Sequence, residues 1–134
     1  MLHAGGYSCV IAHGDSFRTF TRRGVADLYD LLVQDADFLS GSRVADKVIG
    51  KAAASLMVLG GVKEVYTHVI SRPALQLLHE AGIVVDCDEV VDYIINRNHT
   101  GWCPLEQASR DLHSAKDIFP VIKDFISEQR KKES

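Results

Sequence analysis

Lys51 stands between Gly50 and a run of small residues in "GKAAASLMVLGG". A basic residue at a glycine-bearing helix start is how phosphate is often held. Small side chains leave backbone N–H groups uncovered, and the cation adds to them. A second start of this kind is Ser71-Arg72-Pro73, and a third is Cys103-Pro104-Leu105-Glu106, with Pro at the first helical position and Glu placed for a capping box. Asp46, Lys47, Gly50, Lys51, Ala52, Ser71 and Arg72 are therefore the candidate ligand-binding residues, and the ligand they suit is a small anion, a metabolite or nucleotide. Cys103 is the candidate catalytic residue. A thiol at a helix N-terminus has a lowered pKa and attacks as the thiolate, with His99 or Asp46 to assist.

Each of these residues also has a plainer role. Lys51 could be a first-turn lysine in solvent beside a glycine cap, Ser71 an ordinary N-cap, and Arg72 simply exposed. The loop is not of the Walker type, since Gly41 lies well before Gly50 and Ala52 stands where Ser or Thr would hold magnesium. Cys103 could be a small buried hydrophobe. Asp46 and Asp88 flank expected turns and read as caps or pocket polar groups before general bases. His13, His68, His79, His99 and His113 show no H-x-E or H-x-x-x-H spacing, and the pair His99 and Cys103 is too small a set for a metal. No metal site and no cofactor are expected.

The whole chain is 134 residues with a formal net charge of −3, 25% charged and 46% hydrophobic. That is one domain with its own core, without the basic field that nucleic-acid binding needs. The run Arg130-Lys131-Lys132 reads as a solvated helix end. The longest apolar run falls far short of a membrane span, and the N-terminus has no signal-peptide pattern. The three cysteines form no C-x-x-C pair, which suits a reducing cytoplasm. A homodimer is compatible with all of this.

The elements that must position these residues follow from pattern. "YSCVIAHG" and "DSFRTFTR" read as a hairpin turning at His13-Gly14-Asp15. Val25, Leu28, Leu31 and Leu32 are spaced for a helix over 24–34, and "SRVADKVI" is either a short strand or an extended approach to the next helix. Ala52 to Leu59 form a helix with almost no polar face, hence buried on most sides, and Gly60-Gly61 end it. "KEVYTHVIS" alternates and is rich in β-branched residues. Ser71 then caps "RPALQLLHEAG", with Pro73 in its first turn. "IVVDC" is a short strand, and "DEVVDYII" suits strand and helix alike. Two helices follow, Pro104 to Leu112 and Ala115 to Lys131, with a frayed tail at 132–134. Alternating helices and strands after a hairpin make a single α/β domain whose later strands are parallel.

In "VADKVIGKAAASLMVLGGVKEVYTHVISRPALQLLHEAGI" and "YIINRNHTGWCPLE" the chain resembles a small prokaryotic family of unknown function within the cytidine deaminase-like superfamily. The resemblance implies a three-layer α/β/α sandwich around a mixed sheet with an N-terminal hairpin. Zinc deaminases carry His- or Cys-x-Glu at one helix start and Pro-Cys-x-x-Cys at the next. By element order those starts are Gly50-Lys51-Ala52 and Ser71-Arg72-Pro73-Ala74, and neither the ligands nor the glutamate remain. The resemblance thus implies no zinc and no zinc-dependent deamination. A sulfur-carrying accessory protein of formate dehydrogenase shares the superfamily, but its paired cysteines are absent and only Cys103 could play a comparable part. The expected function is binding of a small anion. The alternatives are a cysteine-dependent transferase and a protein–protein interaction module.

Overall fold

The structure, a computed structural model, describes residues 9–20, 26–92, 112 and 114–133. Chain order runs β1 (Cys9–His13), β2 (Ser16–Phe20), α1 (Ala26–Gln34), α2 (Ala36–Leu39), β3 (Arg43–Ile49), α3 (Lys51–Gly60), β4 (Glu64–Ser71), α4 (Arg72–Glu80), β5 (Val84–Val91) and α5 (Ala115–Glu133). The hairpin closes on Gly14-Asp15, where Gly14 at φ 59° supplies the left-handed residue that a tight turn requires. "SRVADKVI" resolves as a strand, and "DEVV" continues β5 from Val84 rather than starting a helix. The valines at both of its ends favour the extended form, and parallel pairing with β4 fixes it.

The fold is α/β, built on a mixed five-stranded sheet in the order β2-β1-β3-β4-β5. β1 pairs antiparallel with both β2 and β3, while β3, β4 and β5 run parallel. A parallel partner needs a crossover, and α3 and α4 supply them. α3 is the centre of the core: Lys51 through Met57 and Gly60 are buried, with α1, α4 and α5 packed around it. Gly61 at φ 75° ends it, returning its N–H to the carbonyls of Met57 and Val58. α5 lays Ile118, Ile122 and Ile126 inward at four-residue spacing. It continues to Glu133, so residues 132 and 133, expected to fray, belong to the helix.

The three parallel strands share one irregularity. Val44 and Asp46 alternate inward on β3, but the next inward residue is Ile49, a step of three. On β4 the inward set is Val65 and Thr67, then Ile70. On β5 Val85 and Cys87 are half-buried between exposed neighbours, and Val90 is half-buried after exposed Asp88 and Glu89. The ladders skip the same level, passing from Asp46↔Thr67 to Val48↔Val69 and from Thr67↔Cys87 to Val69↔Glu89. Lys47, His68 and Asp88 are thus one extra residue in each strand. Because all three strands carry it together, register survives while the side-chain phase shifts.

Candidate functional site

Two helix starts meet at the carboxyl edge of the sheet. Ile49 and Ile70 are ladder partners, so Gly50-Lys51 and Ser71-Arg72 leave adjacent strands side by side. Ligands of open α/β sheets bind along this edge. Gly50 caps α3 in extended conformation and offers no side chain to its first N–H groups. Lys51 is not the solvated lysine of the plainer reading, for only 6% of its surface is exposed. It sits at the positive end of the helix dipole, where a cation is disfavoured, and takes part in an interaction within the protein. Ala52 is buried behind it.

On the neighbouring strand Ser71 is fully buried, and its hydroxyl accepts the Ala74 N–H at 3.3 Å, which makes it the N-cap of α4. Arg72 is exposed, and its Nε lies 3.2 Å from Asp92 Oδ1 just beyond β5. The structure therefore brings Gly50, Lys51, Ala52, Ser71 and Arg72 to one edge. Asp46 and Lys47 do not join them.

Asp46 does not flank a turn, as the sequence suggested. It lies mid-strand on β3, half-buried on the helix-facing side, between Cys9 of β1 and Thr67 of β4. Its carboxylate accepts the backbone N–H groups of Lys47 and Val48, yet burial outweighs those donors and pushes its pKa up to about 7. Asp88 is likewise mid-strand, on β5. Lys47 is half-buried on the opposite face of β3. Cys103, His99 and Glu106 lie outside the described residues, as does the expected helix from Pro104 to Leu112 except for Leu112 itself, which is not helical.

Pattern reading missed a group on the outer face. Asp88 Oδ2 accepts from Tyr66 Oη at 3.0 Å and from His68 Nδ1 at 3.0 Å. The hydrogen bond to Asp88 holds the Tyr66 phenol above its ordinary pKa, with burial and the charges of Asp88 and Asp86 acting the same way. The signal was present in the sequence. Tyr66 and His68 are two apart in the clearest strand, and Asp86 and Asp88 two apart in the next, so each pair shares a face. Residues that meet only across strands have no metal-ligand spacing along the chain.

Among the described residues nothing is arranged as a zinc site. α1 lies between the hairpin and β3, so its start precedes those of α3 and α4 in chain order. None of the three starts, "GVADL", "GKAAA" and "SRPAL", carries a zinc deaminase motif; the Cys-x-Glu at Cys87-Asp88-Glu89 lies within β5 and not at a helix start, and no Pro-Cys-x-x-Cys occurs in the sequence. Among the described residues no group of three or more His, Cys, Asp or Glu could hold a metal ion.

This is a mixed-sheet α/β protein with a polar carboxyl edge. The chain belongs to the TM1506 family, a domain of unknown function (DUF1893), which it matches over residues 1–126. It is similar to the crystal structure of a DUF1893 family protein (TM1506) from Thermotoga maritima, with 26% identity and a TM-score of 0.84, covering 92% of this chain and 83% of that one. Two structures of RibD from Acinetobacter baumannii match over 60% of this chain and 27% of theirs, at 21% identity and TM-scores of 0.43 and 0.45. No curated protein matches the chain. No described helix is long and apolar enough to cross a membrane.

Proposed function

We propose that the protein binds a small anionic molecule, a metabolite or nucleotide, at the carboxyl edge where α3 and α4 begin. The observation that carries this reading is the burial of Lys51 in the first turn of α3, beside the start of α4 on the next strand. An ammonium withdrawn from water at the positive end of a helix is costly, and negative charge nearby offsets that cost. An incoming phosphate or carboxylate would join Lys51's existing interaction and add the first-turn N–H groups of α3, which Gly50 leaves open. Arg72 would reach the same anion by leaving Asp92, an exposed pair that costs little to part. Neither Cys9 nor Cys87 forms a disulfide, in keeping with a cytoplasmic setting.

The test is a thermal-shift survey of nucleotides and sugar phosphates, followed by titration of each hit against Lys51→Ala and Lys51→Met. Binding weakened at least tenfold in both variants, with folding verified by circular dichroism, is the expected result. Hits that bind either folded variant as tightly as the parent would refute the site.

A further inference from the structure

The shared phase shift gathers polar side chains on the outer face of the sheet. Lys47, His68 and Asp88 are the extra residues of β3, β4 and β5, and all three fall at one level. Adjacent strands stand about 4.8 Å apart, so Lys47 and Asp88 flank His68 directly. The shift costs regular ladder bonds, and Asp46 and Thr67 take up some of the freed backbone groups with their side chains. An irregularity of this kind re-aims side chains and is found beside functional sites more often than elsewhere.

The chemistry of the group is specific. A carboxylate only accepts, so Nδ1 of His68 donates to Asp88, and in the neutral ring Nε2 carries the lone pair. His68 is 56% exposed at its side chain, and Nε2 has no hydrogen-bond partner among the described residues. The Lys47 ammonium has no ion-pair partner among them either. Ala45, two residues before Lys47, is the ladder partner of Tyr66. Lys47 and His68 thus stand at one level on neighbouring strands, the one a cation and the other an oriented acceptor. Asp86 and Asp88 supply negative charge along the far strand, which disfavours a dianion.

We infer that Lys47, His68 and Asp88 form a second binding site, selective for small monoanionic hydroxycarboxylates. The ligand carboxylate pairs with Lys47, and its hydroxyl donates to His68 Nε2. Asp88 is the positioning residue that fixes the imidazole. This site does not depend on the carboxyl edge.

The experiment is an NMR titration of the whole chain, following the His68 ring nitrogens with glycolate, acetate and sulfate as probes. Glycolate should give saturable shifts at Nε2, with acetate, which lacks the hydroxyl, and sulfate, which brings a second charge, each at least tenfold weaker. Lys47→Met should remove glycolate binding, Asp88→Asn should erase the preference for glycolate over acetate, and Lys123→Ala, an exposed change on α5, should change neither. No saturable shift with glycolate up to about 0.1 M, where a ligand of millimolar Kd is saturated, would overturn the site. So would glycolate binding that persists in Lys47→Met, or a preference unaltered in Asp88→Asn.

Discussion

Asp46 and Thr67 are partners across the β3–β4 ladder, and each turns its side chain back onto its own strand. Asp46 accepts the N–H groups of Lys47 and Val48, while the Thr67 hydroxyl donates to the Val69 carbonyl at 2.9 Å. Backbone groups inside a sheet need partners, and here the two side chains provide them where the regular ladder lapses. The phase shift then lets Ile49 and Ile70 turn into the core just before the helix starts. The seam in mid-sheet and the geometry of the carboxyl edge are therefore one construction.

A pH dependence follows from Asp46. Its folded pKa is raised from 3.8 to about 7, so the folded chain holds the proton more tightly than the unfolded one. The stability this group contributes is complete below 3.8 and is lost as pH rises to about 7. Asp46→Asn cannot titrate, and its amide oxygen can still accept an N–H. Urea unfolding at pH 4, 5, 6, 7 and 8 should show the variant gaining on the parent by roughly 2 to 4 kcal/mol across that range. Parallel curves for the two proteins would mean that Asp46 titrates as an ordinary surface carboxylate.

Ser71 gives a smaller and sharper expectation. Its hydroxyl satisfies the Ala74 N–H inside the protein, where no water can replace it. Ser71→Ala should cost about 1 kcal/mol, and Ser71→Thr should recover most of that loss. Chemical denaturation with both variants settles it: equal losses would show that volume at this buried position, and not the cap, sets the stability.

Much of this architecture is legible in the residues. The burial of α3 follows from "AAASLMVL", which has no polar face to give to water. The cap at Ser71, the hairpin at Gly14 and the strand "KEVYTHVIS" each rest on local chemistry that the fold leaves intact. The seam was not legible, because its apolar spacing of 65, 67 and 70 matches neither a strand nor a helix period. The same shift hid the extent of β5 and made Asp46 look like the flank of a turn. The burial of Lys51 depends on α1, α4 and α5 closing around α3, and no local pattern reports that. His68, Asp88 and Tyr66 meet only after β4 and β5 pair.

Gly60 is required by a close approach. A Cβ built there would run into the Leu39 side chain, with Cγ only 2.7 Å away. Alanine favours a helix over glycine by about 1 kcal/mol, so propensity alone predicts a gain. Overpacking against a fully buried leucine costs typically 1–3 kcal/mol and should win. Gly60→Ala is expected to lower stability, and to do so far less in a Leu39→Ala background, where the collision is gone. A double-mutant cycle measures this coupling, and strictly additive losses would show that the two side chains do not compete for the space.

The last expectation concerns how firmly α5 belongs to the core. Ile122 is fully buried in the stripe that α5 turns inward, while Lys123 beside it is exposed. Removing the buried side-chain atoms leaves a cavity that packed neighbours close only in part, so Ile122→Ala should cost 2 to 5 kcal/mol, roughly, and Lys123→Ala within about 0.5 kcal/mol of nothing. Because α5 packs on α3, the loss should also appear as faster amide exchange in α3, whose first turn carries Lys51. Exchange that quickens in α5 alone would mean that the helix frays separately, and the shape of the carboxyl edge would then owe nothing to it.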